Sequence, residues 1–231
     1  DDWIEKNCIS QIIPLLESID ALHFPSYFQQ FDDRYIIKSC NSSGNSGREL
    51  TQGEYQYPVQ FTIYRKEFLK ENNLSFHYGI LMEDLHFSPR ALYKADTVRV
   101  LSVPVYHYYQ RSGSIMKSNV SKKRLDDRIW ISHDLYNFML ENVLKEDRKK
   151  WAECIVTDVN AIMFDAFRSH DSNLIMLSKQ FVDTVPYLTE WLRFSKNRNN
   201  RIWYWISRIL CGNYFKIYSV LFKLRYGEHK E

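Results

Sequence analysis

The spacing of apolar residues along this 231-residue chain changes once, near residue 118, and that change limits what the chain can fold into. Before it, short runs alternate, as in Val103, Val105, His107 and Tyr109 against Pro104, Tyr106 and Tyr108. After it, Leu125, Ile129, Ile131, Leu135, Phe138 and Met139 keep roughly helical spacing, and 151–167 and 173–181 repeat it, with polar breaks near Glu146 and His170. A period of two sends side chains to opposite faces of a strand, whereas a period near 3.6 gathers them on one face of a helix. The pattern predicts an α/β part over residues 1–118 and an all-α helical region over 119–231.

Composition narrows the class further. At 45% hydrophobic and 16% aromatic residues the chain can bury a substantial core, and a net charge of +3 is too mild to imply nucleic acid as a partner. Cys8, Cys40, Cys154 and Cys211 lie far apart with no C-x-x-C pair, which argues against a zinc ribbon or redox dithiol and for reduced, mostly buried thiols. No apolar run is long enough to cross a bilayer, and a soluble or peripheral cytoplasmic protein is expected.

The opening Asp1-Asp2-Trp3-Ile4-Glu5, followed by Ile9, Ile12, Ile13 and Leu16, predicts a helix up to Ser18 with an acidic start and a kink at Pro14. Residues 20–27 read as one short strand holding a packed His23, and 35–37 as another, with Asp32-Asp33-Arg34 turning between them. The Ser-, Asn- and Gly-rich stretch 39–53 predicts a mobile surface loop, either a lid or a plain connection. A strand over 59–64 and a helix over 65–71, ended by Asn72-Asn73, come next.

Glu83 and Asp84 fall at a helix N-terminus in either of two geometries: inside the first turn, or just before a helix capped by Ser88 with Pro89 at its first position. A carboxylate beside free backbone N–H groups is held ionised and can accept a proton from a substrate hydroxyl; a solvated helix start is the plainer reading of the same pair. Strands over 97–101 and 103–109 lead to Gln110-Arg111-Ser112-Gly113-Ser114-Ile115. Such a turn can hold a phosphate through its guanidinium, hydroxyls and backbone N–H groups, or serve as a polar hairpin end.

Taken together, YRKEFLKENNLSF, GILMEDLHFSPRALYKAD and PVYHYYQRSGSI resemble, in order and spacing, the second half of the catalytic domain of a family 2 glycosyltransferase of bacterial surface-polysaccharide type. Asp1-Asp2-Trp3-Ile4 resembles the end of that family's Asp-Ser-Asp-Asp metal motif. The resemblance covers about residues 1–118 and implies a partial GT-A type mixed sheet with flanking helices. It implies Asp84 as general base on the acceptor hydroxyl with Glu83 shaping the acceptor site, and Asp1 with Asp2 holding a divalent ion, magnesium or manganese. It also implies His107, Arg111 and Ser114 as donor-phosphate contacts, and the 39–53 loop as a border of the acceptor side. The activity implied is inverting transfer of a hexosyl unit from a nucleotide-sugar donor to a saccharide or lipid-linked acceptor. The family's nucleotide-binding half precedes the motif at which this chain starts, so the chain is expected to be the back portion of a longer enzyme and to bind donor poorly alone.

Residues 191–231 hold nine basic residues against Glu228 and Glu231, interleaved with Trp203, Tyr204, Trp205, Phe215, Tyr218 and Phe222. Two readings stand: an amphipathic surface lying on the inner face of an anionic membrane, where lipid-linked acceptors reside, or helices burying their aromatics in the bundle or a partner subunit. Glu153, Asp158, Asp165 and His170 lack metal-ligand spacing. The alternative to an enzyme is a non-catalytic helical interaction module on a transferase-like scaffold.

Overall fold

A computed structural model describes residues 2–55, 57–110, 120–184, 191–209 and 214–226. Chain contacts divide it into two compact units, Asp1–Ser118 and Asn119–Glu231. The first unit begins with Trp3–Ile4 (β1), Cys8–Ile12 (α1) and a 3-10 turn at Ile13–Leu15. Ala21–His23 (β2), Ser26–Gln30 (β3), Tyr35–Ser39 (β4) and Gly47–Gln52 (α2) follow. A second 3-10 turn at Val59–Phe61 leads into Thr62–Tyr64 (β5), Lys66–Glu71 (α3), Glu83–Lys94 (α4), Val98–Val100 (β6) and Tyr106–Tyr109 (β7).

Two mixed sheets result, one ordered β1-β7-β3-β4 and the other β5-β2-β6. In the first, β7 runs antiparallel to β1 and parallel to β3; in the second, β2 runs antiparallel to β5 and parallel to β6. The sequence predicts one strand over 20–27, but the chain leaves the β2 ladder after His23 and enters the other sheet at Ser26. Pro25, which has no N–H to give a ladder, sits at the crossing. The predicted helix at the start is also corrected. Trp3 and Ile4 pair with His107 and Tyr106, so the acidic opening feeds a strand, and only 8–12 are α-helical. The strand predicted over 103–109 is confined to 106–109.

The predicted mobile loop at 39–53 contains an ordered helix. Ser46 caps α2 by accepting from the Glu49 N–H at 3.2 Å, and Leu50 is fully buried in a core shared with Phe68, Phe87, Ala91 and Leu92. A Cβ on Gly47 would stand 1.5 Å from the Leu92 carbonyl oxygen, so only glycine lets α2 lie this close to α4. One apolar side chain, Leu50, inserted into a core built by distant residues orders a polar stretch that could not order itself.

Asp20 fastens the central sheet. Its carboxylate accepts from the Arg65 guanidinium at 2.8 Å, from the Asp96 and Thr97 N–H groups at 3.0 and 3.1 Å, and from the Thr97 hydroxyl at 3.2 Å. Burial pushes its pKa up, but Arg65 and Thr97 outweigh that and hold it below the usual value.

The second unit is helical: Lys122–Asn142 (α5), Arg148–Trp151 (α6), Glu153–Arg168 (α7), Ser172–Thr184 (α8), Arg198–Ile209 (α9) and Tyr214–Tyr226 (α10). Ser121 caps α5 by accepting from the Arg124 N–H at 3.2 Å. Inside the bundle Arg128 pairs with Asp158 and Asp165, both at 2.9 Å, and Arg124 pairs with Asp165 at 3.3 Å. These two carboxylates therefore belong to a buried ion cluster. Among the described residues no helix is long and apolar enough to cross a membrane.

Candidate active site

Glu83 and Asp84 open α4, whose N-cap, Met82, adopts a left-handed backbone at φ 62°. The alternative start at Ser88 is excluded, because Pro89 lies inside the helix and both residues are buried. An interior proline normally breaks a helix, so α4 is held by packing. Phe87 packs against Phe76 at 4.3 Å with the rings tilted by 32° and meets Tyr64 edge-on at 5.6 Å, while Arg90 donates to the carbonyls of His86 and Ser75 at 2.9 and 3.3 Å. The turn before the helix is thereby fixed, and the acidic pair with it.

Glu83 is exposed and Asp84 half-buried, its Oδ1 accepting from the Leu85 N–H at 2.9 Å. The sequence reading expects a carboxylate held ionised by backbone N–H groups, and the shift runs the other way. Burial raises the Asp84 pKa, the Leu85 N–H only partly opposes it, and the Glu83 charge raises it again. A carboxylate with a raised pKa is a stronger base once ionised, which is the property a proton acceptor requires.

Of the metal and donor candidates, Asp1, Arg111 and Ser114 lie outside the described residues. Asp2 is exposed and bound to β7, with Oδ1 accepting from the Tyr109 N–H at 2.9 Å and Oδ2 from the Tyr106 hydroxyl at 2.7 Å. Burial first, and then Asp2, push the Tyr106 pKa up, so the phenol stays a donor. His107 is buried between Trp3 and Phe28, its ring stacked on theirs at 4.7 and 4.3 Å. Its Nε2 meets the Glu5 carboxylate at 2.8 Å and its Nδ1 meets Gln30 Oε1 at 3.4 Å. Both ring nitrogens thus face protein atoms, and the imidazole locks β1 to β7 and β3 rather than offering itself to a diphosphate. Glu5, Tyr106 and Tyr109 complete this edge and were not singled out from sequence, since their partners lie about a hundred residues away. Tyr106 also meets Phe61 edge-on at 5.5 Å, and the turn carrying Phe61 lies beside α4, the helix that bears Asp84.

Among the described residues no three His, Cys, Asp or Glu side chains gather as a metal cage. A hard divalent ion does not demand one: magnesium is commonly held by one or two carboxylates, with substrate phosphates supplying other oxygens. The carboxylate oxygens of Asp2 suit that chemistry.

No family model matches the chain. Its structure superposes over its whole length on S. aureus TarS residues 1–349 in complex with UDP-GlcNAc, with a TM-score of 0.67, 16% identity and 67% of that chain covered. The same TarS fragment with UDP gives 0.64 at 16% identity and 66% coverage. The chain has a glycosyltransferase fold. In sequence it is 26% identical over 186 residues, 74% of its length, to the Bacillus subtilis (strain 168) protein described as "Putative glycosyltransferase EpsH". The chain spans about half of that relative's length, 53%.

Proposed function

We propose that this chain forms the acceptor-side, base-bearing portion of an inverting glycosyltransferase that moves a hexosyl unit from a nucleotide-sugar donor to a saccharide or lipid-linked acceptor in cell-surface polysaccharide synthesis. The observation that carries the proposal is Asp84: a half-buried carboxylate, raised in pKa, on the first turn of a helix held by Phe76, Tyr64 and Arg90. The shared fold with a UDP-GlcNAc complex supports a nucleotide-sugar donor.

In this reading the acceptor O–H gives its proton to Asp84 as its oxygen bonds to the anomeric carbon, and the bond to the nucleoside diphosphate breaks with the electron pair leaving on phosphate oxygen. A single displacement inverts the anomeric centre. Asp84 would take the proton while its charge offsets the positive charge building on the sugar. A magnesium or manganese ion held by Asp1 and Asp2 would neutralise charge on the departing diphosphate. Asp2 also holds the end of β7 through the Tyr109 N–H.

Ile202, Trp205 and Ile209 share one exposed stripe of α9, beside Arg201 and Arg208. That stripe supports peripheral contact with an anionic membrane surface at the inner face. The reaction is tested in the natural protein that contains this chain, with UDP-GlcNAc and lipid-linked or free saccharide acceptors. NMR of the product is expected to show an inverted anomeric centre; retained configuration would end the one-step reading. Co-sedimentation with anionic liposomes, lost on Trp205→Glu, checks the stripe.

A further inference from the structure

The helical unit contains a cavity of about 690 Å³ that the transfer reaction described above does not use. Its volume falls in the range of small-molecule sites. Its two walls differ in chemistry. Phe164, Tyr218, Phe222 and Tyr226, with the aliphatic Ile202, Ile206 and Leu224, form the apolar one; Glu153, Thr157, Asn160 and the 197–200 asparagines form the polar one. Glu153, Thr157, Asn160 and Phe164 recur at helical spacing, so a single stripe of α7 runs from the polar wall into the aromatic one.

The polar wall is preorganised. Glu153 accepts from the Ser195 hydroxyl at 2.7 Å and the Lys196 N–H at 2.9 Å; Asn200 Nδ2 donates to Ser195 Oγ at 2.9 Å, and Asn160 donates to the Asn200 side-chain oxygen. Ser195 and Asn200 are each 3% exposed, so the network is fixed before anything binds. On the aromatic side Phe164 meets Phe222 at 63° and Tyr226 at 71°.

We propose that this cavity is a saccharide-binding site, taking a pyranose unit between its aromatic corner and its amide wall. A pyranose has one apolar face whose C–H bonds carry partial positive charge, suited to the negative face of an aromatic ring. Its hydroxyls lie around the whole ring edge, matching amide and carboxylate groups spread over α7 and the 195–200 turn. An alkyl chain would strip water from that wall without replacing its outward hydrogen bonds, at a cost. Phe164 stands at steep angles to Phe222 and Tyr226, which are themselves tilted by 39°, and the resulting corner suits a puckered ring better than a flat base. The site rests on the pocket's own chemistry and does not depend on the transfer reading.

The test uses the whole chain with di-N-acetylchitobiose as probe, read by saturation-transfer NMR. Transfer to the ring and acetyl protons is expected. Tyr226→Ala and Asn199→Ala, both at exposed rim positions, should each weaken it about fivefold or more, as loss of one good contact does, with an unchanged melting temperature. If either variant lowers the melting temperature, Thr157→Trp, which fills the mouth from an exposed position on α7, takes its place and must show the same loss. Asp84→Asn should bind as the parent does, whatever it does to transfer. Absence of transfer at millimolar sugar, equal transfer in the rim variants, or displacement of the sugar by uridine or by an octyl chain would each overturn the assignment.

Discussion

Gly47→Ala is the perturbation that most sharply links packing to function in the first unit. The new Cβ would stand 1.5 Å from the Leu92 carbonyl oxygen and 2.6 Å from its carbon, where ordinary contact begins at 3.4 Å. Either α2 or α4 must therefore retreat by close to 2 Å. Retreat is resisted on both sides: the Gly47 N–H donates to the Ala95 carbonyl at 2.8 Å, Thr51 donates to the Gly47 carbonyl at 2.8 Å, and Leu50 is buried beneath. Overpacking against backbone costs about 3 kcal/mol or more, and the helix preference of alanine over glycine returns only about 1, leaving a net loss of about 2 kcal/mol or more. Because α4 carries Asp84 at its first turn, a displacement of an ångström or so should also lower transfer about 100-fold in protein that still folds. Urea denaturation followed by tryptophan fluorescence reads the first effect, and donor turnover at a temperature where the variant is folded reads the second. Gly53→Ala is the control, since its Cβ would meet the Leu50 carbonyl oxygen at an ordinary 3.4 Å. A Gly47→Ala protein with the parent's denaturation midpoint and the parent's rate would refute the reasoning.

Further predictions concern charge. The exposed Glu83 raises the Asp84 pKa, so Glu83→Gln should shift the acid limb of the rate-against-pH profile to lower pH; an unmoved limb would separate that limb from Asp84. Burial holds the His23 imidazole near 4 instead of 6.5, so the unfolded chain takes up a proton that the folded chain refuses. Stability should fall as pH drops from about 6.5 toward 4, by at most about 3 kcal/mol, and denaturation midpoints that stay flat across that window would contradict it. Arg128→Met removes the guanidinium that pairs with both Asp158 and Asp165 in the bundle interior. It should cost about 3–5 kcal/mol by urea titration, and a loss under about 1 kcal/mol would mean that water reaches the cluster.

What could be read from sequence was whatever local pattern decides. The change from alternation to helical spacing gave the two classes of structure, Asp32-Asp33-Arg34 gave the turn between β3 and β4, and Asn72-Asn73 gave the end of α3, where Asn73 takes a left-handed backbone at φ 52°. The missed features depend on distant partners. With a single buried aliphatic residue, Leu50, α2 has no periodicity to reveal it, and its order comes from fitting against Leu92. Trp3 and Ile4 precede a run with helical spacing but pair with a strand about a hundred residues on. His107 looked like an alternating strand residue with a donor role, and only the folded chain brings Trp3, Phe28, Glu5 and Gln30 to its ring. The direction of the Asp84 shift was misjudged for the same reason: an N-terminal turn favours the ionised form locally, but burial by the surrounding chain favours the neutral one more strongly.

The identity of the proton acceptor is tested most directly by Asp84→Asn in the natural protein that contains this chain, with turnover of UDP-GlcNAc and the thermal midpoint measured on the same sample. Asparagine keeps the shape and can still accept from the Leu85 N–H, but it cannot take a proton from an acceptor hydroxyl. Turnover should fall by about two to four orders of magnitude with the melting temperature unchanged, since general-base contributions lie in that range. Turnover close to the parent's in a fully folded variant would contradict the account.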